Sequence, residues 1–147
     1  MNMIIPRQED WGDLTDLDTA YAYKIFFNKS NQEMQIAFKE NIHARCYDLY
    51  YMPINVLVYY IYGLKEFIES RSSKDSLDIT SAVDCLFNLF YLNSKKHLAE
   101  INDIFSEFQQ LMQYIADNQL LYDADEETYG DLNITLTEIN SNLEKLH

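Results

Sequence analysis

Apolar residues recur every three or four positions along nearly the whole chain, the period of a helix with one buried face. Leu14, Leu17, Tyr21 and Ile25 open the pattern, with Thr15 or Asp16 placed to cap. A loop at Asn28-Lys29 leads into Ser30-Asn31-Gln32-Glu33. This is a capping box, in which the first and fourth side chains satisfy each other's free backbone donors. The next helix is expected to carry Met34, Ala37, Phe38, Ile42, Cys46 and Leu49 on one face. It must end or kink near Tyr51-Met52, because Pro53 disfavours α geometry in the residue before it.

Pro53 suits the first position of a new helix. Ile54, Leu57, Val58, Ile61, Leu64 and Ile68 form its stripe, and Val56, Tyr59, Tyr60, Tyr62 and Phe67 make most of the remaining circumference apolar. A helix apolar nearly all round is enclosed on several sides, which marks this one as the central element. The polar stretch from Ser70 to Ser76 reads as an internal loop, too short for a domain linker. Asp78 is placed to cap a helix showing Ile79, Ala82, Val83, Leu86, Leu89 and Phe90. After Asn93-Ser94 comes the most regular seam: Leu98, Ile101, Phe105, Phe108, Met112 and Ile115, a spacing that favours near-antiparallel packing at shallow angles. Residues 123–131 form an acidic loop. Thr135-Leu136-Thr137-Glu138 predicts a second capping box, and Leu132, Leu136, Ile139, Leu143 and Leu146 a last seam. The expectation is an all-α chain, a compact bundle of about six helices forming a single domain over residues 1–147.

Composition sharpens this picture. The 147 residues include 48% apolar residues and 12 tyrosines, yet 24 Asp and Glu stand against 11 Lys and Arg, a formal net charge of −13. A disordered acidic tail lacks the apolar surface to offset its ordering entropy; this chain has it. The negative field therefore belongs to a folded body that repels nucleic acid and attracts cations. Three glycines and two prolines are too few for an all-β sandwich, which needs frequent turn signals. Cys46 and Cys85 lie on apolar faces and read as reduced core residues, which suits a cytoplasmic protein. The start, Met1-Asn2-Met3-Ile4-Ile5-Pro6, does not read as a secretory signal. The apolar run from Met52 to Leu64 contains Asn55 and Gly63 and stops at Lys65-Glu66, short of the roughly 20 residues that a bilayer requires. No membrane partner is expected.

Candidate chemistry is sparse. The chain lacks a Gly-x-Ser-x-Gly elbow, a Gly-rich phosphate loop and a His-Glu-x-x-His pair, so neither catalysis nor a bound cofactor is expected. Glu40-x-x-His43 matches half of a di-metal bundle motif, but the further inward glutamates that such a site requires are missing. Glu144-x-x-His147 lies in the last residues, and His43-x-x-Cys46 has no second pair to complete a zinc site. Asp123, Asp125, Glu127 and Asp131 resemble the first half of an EF-hand calcium loop. The pattern departs at Thr128, where the family has Gly, and at Ile134, where it has the bidentate Glu. No metal is expected there.

Two acidic clusters remain, and both mix carboxylates with aromatic residues. Near the start, Glu9, Asp10, Asp13, Asp16 and Asp18 surround Trp11; further on, Asp123, Asp125, Glu126, Glu127 and Asp131 flank Tyr122 and Tyr129. Charge steers the encounter with a basic partner and aromatic side chains anchor it. The partner-binding candidates are therefore Asp10, Trp11 and Asp13 in one cluster, and Asp123, Asp125, Glu126, Glu127, Tyr129 and Asp131 in the other. The competing explanation is helix capping, with Trp11 covering an open end of the bundle. A third group, Tyr47, Tyr50, Tyr51, Tyr59, Tyr60 and Tyr62 around Pro53, is expected to line the periphery of the core or a docking groove.

Together these features point to a non-catalytic binding protein for a basic protein partner, such as an immunity protein or antitoxin that occludes a nuclease-like toxin. A DNA mimic that blocks a nucleic-acid-binding protein is one alternative. A structural or adaptor subunit, including a homodimer through the helical seams, is another.

Overall fold

The computed structural model describes residues 4–70 and 76–147, and helices dominate it, with no strand among the described residues. They run α1 (Gln8–Trp11), α2 (Leu17–Phe26), α3 (Asn31–Glu40), α4 (Ile42–Tyr50), α5 (Ile54–Ser70), α6 (Ser76–Lys96), α7 (Leu98–Asp117), a 3-10 turn (Gln119–Tyr122), α8 (Glu126–Tyr129), α9 (Leu132–Leu143) and a final 3-10 turn (Glu144–Leu146). The all-α class is as the periodicity predicts; the helices outnumber the six expected. One expected helix is split at Asn41, whose extended backbone (φ −158°, ψ 82°) ends α3 while its side chain caps α4 at Ala44 N–H. The one-turn helices α1 and α8 are too short to show a period. The expected loop at residues 70–76 falls mostly outside the described residues.

The chain divides into two compact units, Met1–Arg71 and Ser72–His147. In the first, α5 packs against α1, α3 and α4, and α4 also meets α2 and α3. As expected for a central element, α5 buries Val56, Leu57, Tyr60, Ile61, Leu64 and others around most of its circumference. Pro53 sits one residue earlier than expected, at the cap position, where its carbonyl accepts the Leu57 N–H. Asp16 caps α2 by accepting the Thr19 N–H, but the predicted stripe is rotated: Leu17 is 84% exposed and Tyr21 is also exposed, while Ala22 and Phe26 are buried. Apolar residues stand on both faces of this short segment, Leu17 and Tyr21 on one and Ala22 and Phe26 on the other, and tertiary packing chose between them.

Two side chains on α5 fix how its neighbours approach. The Tyr60 hydroxyl lies 2.8 Å from the Phe26 carbonyl and 2.7 Å from that of Lys29, so its single proton ties down the turn after α2. Asn28, in the left-handed region at φ 64°, closes that turn. Burial pushes the Tyr60 phenol well above its ordinary range and keeps it a donor. Its ring meets Phe26 edge-on at 4.9 Å, and Phe26 meets Phe38 at 6.1 Å.

One turn on, Gly63 allows α3 to approach closely. A Cβ there would come within 2.5 Å of Asn31 Oδ1 and 3.3 Å of Phe38. Asn31 cannot swing aside freely, because its Nδ2 donates to the Tyr59 carbonyl at 2.9 Å. Gln35 adds a bond to the Gly63 carbonyl at 3.0 Å.

In the second unit, α6, α7 and α9 each pack against the other two, and the 3-10 turn at Gln119–Tyr122 contacts α6 and α7. The expected seam of α7 is buried from Ile101 to Ile115, and the ring of Phe90 on α6 meets those of Phe105 and Phe108 at a tilt, 5.6 and 4.9 Å between centroids. Three boundaries differ from expectation. Helix α6 begins at Ser76, so Asp78 lies in its first turn. It continues through Asn93 and Ser94, whose side chains bond back to the Leu89 and Tyr91 carbonyls, and the break comes at His97. Helix α9 starts at Leu132 under an Asp131 cap, which puts the expected Thr135 box inside the helix. Leu132, Leu136, Ile139 and Leu143 are buried as its seam requires, and Leu146 is exposed. No helix is long and apolar enough to cross a membrane among the described residues. Cys46 and Cys85 are buried, and neither forms a disulfide.

Gly63→Ala should lower stability by roughly 1–3 kcal/mol through overpacking, outweighing the better helix propensity of Ala. The same change in an Asn31→Ala background should cost less, and equal losses of urea midpoint in the two backgrounds would remove Asn31 as the obstacle. A second test concerns Asp48, which is buried and paired with the Arg45 guanidinium at 2.8 Å. Burial pushes its carboxyl above the ordinary 3.8, and Arg45 opposes without cancelling. The native state therefore holds this proton more tightly than the unfolded one. Its contribution is present below the unfolded value and is lost as pH rises through the raised one. Asp48→Asn should gain stability relative to the parent as pH rises above the ordinary 3.8. A pH-independent difference in urea midpoint would contradict this.

Candidate functional site

The acidic charge is concentrated in one unit. Residues 72–147 carry 14 acids and four lysines, a formal −10, whereas residues 1–71 carry ten acids and seven basic residues, a formal −3. From residue 97 to residue 144 there are 11 acids and no Lys or Arg. This tract holds α7, the 3-10 turn, α8 and α9, so the charge rides on packed helices.

The loop at residues 123–131 is organised from inside by Gln119. The α7 seam, extended from Met112 and Ile115, places position 119 toward the interior, where the chain supplies an amide. Its Nε2 donates to the Ala124 carbonyl at 2.7 Å and the Gly130 carbonyl at 3.0 Å, and its Oε1 accepts the Leu132 N–H at 2.8 Å. Gln119 and Ala124 are both buried, and the Ala124 N–H returns a bond to the Gln119 carbonyl. Thr80 on α6 donates to the Tyr122 carbonyl at 2.6 Å and pins the far end of the turn. Asp123 turns the chain in the left-handed region at φ 52°.

Within this frame the carboxylates divide into two kinds. Asp125 caps α8 through the Thr128 N–H, and Asp131 caps α9 through the Asn133 N–H. Hydrogen bonds from the Thr128 side chain and backbone hold the Asp125 carboxyl below the ordinary carboxylate range, so it stays charged into mild acid. Asp123, Glu126 and Glu127 are exposed and hold no cap, while Tyr129 is 36% exposed. Asp117, at the end of α7, accepts from the Gln113 and Asn133 side-chain amides at 3.1 and 3.2 Å. Both donors are neutral, so its charge is not compensated.

The same frame displays an apolar pair that the sequence reading passed over. Leu120 is 79% exposed and Leu121 is 61% exposed. With Glu126 they line a concave, open face of about 600 Å³ built on residues 116–121. The available signal was a break in register: polar Gln119 takes the inward position, so the two leucines that follow must face out.

The N-terminal cluster belongs to the other unit and is built differently. Trp11 is 1% exposed, with its ring edge-on to Tyr23 at 5.3 Å and tilted toward Tyr60 at 6.5 Å. It is a core residue, which corrects the expectation that it anchors a partner. Asp10 accepts the Arg7 N–H at 2.8 Å and Asp13 accepts the Thr15 N–H at 3.0 Å. Asp10 thus serves the N-terminus of α1, and Asp13 closes a short Asx-type turn in the loop before α2. Of the tyrosines near Pro53, Tyr59 and Tyr60 are buried, while Tyr47, Tyr50 and Tyr51 are exposed. Among the described residues, no three His, Cys, Asp or Glu side chains are grouped so as to hold a metal ion.

No protein-family model, curated protein or solved structure matches this chain. The site's own geometry must therefore carry the functional reading.

Gln119→Leu should strand two carbonyls and one N–H, at a cost of roughly 1–3 kcal/mol for each group that water cannot reach. Amide exchange at Leu132 should accelerate well ahead of that at Ile101. Unchanged Leu132 protection would show that the loop is held by other means.

Proposed function

We propose that this chain is a non-catalytic binding protein that occludes a basic protein partner, in the manner of an immunity protein or antitoxin facing a nuclease-like toxin. The supporting observation is the run of 11 acids without a Lys or Arg on packed helices between residues 97 and 144. A nuclease holds phosphates with lysines and arginines, and carboxylates on a rigid surface compete for those side chains without reorganising. Such a field steers a cationic protein into contact at rates that fall as salt rises. It opposes direct nucleic-acid binding for the same reason. Occlusion needs contact alone, and a small helical unit with charge fixed on its surface supplies it.

The test is capture from the native host at low and high salt, followed by reconstitution with the purified partner. The expected result is a saturable complex with a basic protein, weakened by salt, in which the partner's nucleic-acid cleavage is blocked. A salt-insensitive complex with an acidic or neutral partner would overturn the proposal. Glu126→Lys with Glu127→Lys reverses two exposed charges without removing a cap. It should weaken that complex about tenfold or more at low salt while moving the melting temperature by only about 2 °C. Intact affinity in this variant would place the contact elsewhere on the surface.

A further inference from the structure

We infer that the concave face on residues 116–121 and Glu126 is the docking site for a basic amphipathic peptide segment, whose apolar side chains cover Leu120 and Leu121 while its lysines or arginines meet the surrounding carboxylates. This rests on the reading of the chain as a binder of cationic protein and adds where, and by what chemistry, the contact is made.

Leu120 and Leu121 stand exposed side by side at 79% and 61%, although the turn that carries them is not loose. It is fixed beneath by Gln119 and at its end by Thr80, so little ordering remains when a partner arrives. A rigid apolar pair at the centre with charge at the rim is the arrangement of an interface anchor. The charged residues that line it, Asp117 and Glu126, are both acidic and exposed, and Asp123 follows directly after the same turn. The face lies at the C-terminal end of α7, where the helix dipole adds to the negative potential.

Charge selects the occupant. A second copy of this chain would bring the same carboxylates against themselves, and a symmetric pairing through this face would be repelled. Nucleic acid is repelled likewise. A segment with apolar residues on one side and lysine or arginine beside them satisfies both the leucines and the rim, the pattern by which amphipathic peptides enter grooves.

The probe is a synthetic helical peptide of about 15 residues, with leucines on one face and lysines on its flanks, and polylysine serves as the comparison without apolar anchors. The full chain should bind the amphipathic peptide in low salt with shifts concentrated at the amides of residues 116–126. Leu120→Ser with Leu121→Ser removes exposed side chains only, so the fold is retained. It should weaken the amphipathic peptide at least tenfold and leave polylysine binding unchanged. Asp103→Asn, 14 residues back along α7 and about 21 Å away at 1.5 Å per residue, should have little effect. Wild-type affinity in the double serine variant overturns the docking face and leaves the anionic binder standing. Failure of the wild-type chain to bind either cationic probe at low salt overturns both.

Discussion

One buried amide governs the anionic unit. Gln119 occupies a position that the α7 seam would otherwise give to an apolar residue, and from there it satisfies the Ala124 and Gly130 carbonyls and the Leu132 N–H. A segment of nine residues with five carboxylates has no apolar seam of its own, and its mutual repulsion opposes ordering. Ala124 is the segment's buried side chain, and the Gln119 bonds hold the backbone around it. Because the amide is out of water, those bonds are costly to break. The turn, the caps of α8 and α9, and the display of Leu120 and Leu121 all follow from that anchor.

Capping then decides which charges are available. Asp125 and Asp131 close the N-termini of α8 and α9, as Asp10, Asp13 and Asp16 serve backbone donors in the other unit. Such carboxylates stabilise local structure and are already committed. Asp123, Glu126 and Glu127 are not, and Asp117 has only neutral amide partners. The formal charge of the chain thus counts carboxylates bonded to backbone donors together with uncommitted ones, within residues 97–144 as well. Steering depends on the summed field, and committed carboxylates still contribute to it.

The other unit is built on close approach. Tyr60 reaches two carbonyls of the turn after α2, and Gly63 lets α3 settle onto α5 where any side chain would collide with Asn31. Asn31 Oδ1 is left without a hydrogen bond in the process. The same approach brings Phe38 beside Gly63, and Phe38 packs on Phe26, which in turn meets Tyr60. Trp11, a candidate anchor for a partner, and Tyr59 and Tyr60, expected at the periphery of the core or in a groove, are the interior of this unit.

Helical class, the Ser30–Glu33 box, the stop before Pro53 and the seams of α5, α7 and α9 were all legible along the chain, because period and caps are local physics. The Asn41 break, the His97 junction and the rotated face of α2 were not. Asn41 is both the end of α3 and the cap of α4, a double role that apolar period does not reveal, and the buried face of α2 is chosen by what packs against it. The same division runs through the site. The acids could be counted in sequence, but whether a carboxylate caps a helix or stays uncommitted depends on where the backbone donors lie. Trp11 and Leu120 show the limit most clearly: both are large apolar side chains, and the structure buries one and exposes the other. Burial is a property of what surrounds a side chain, and those surroundings exist only once the helices have packed.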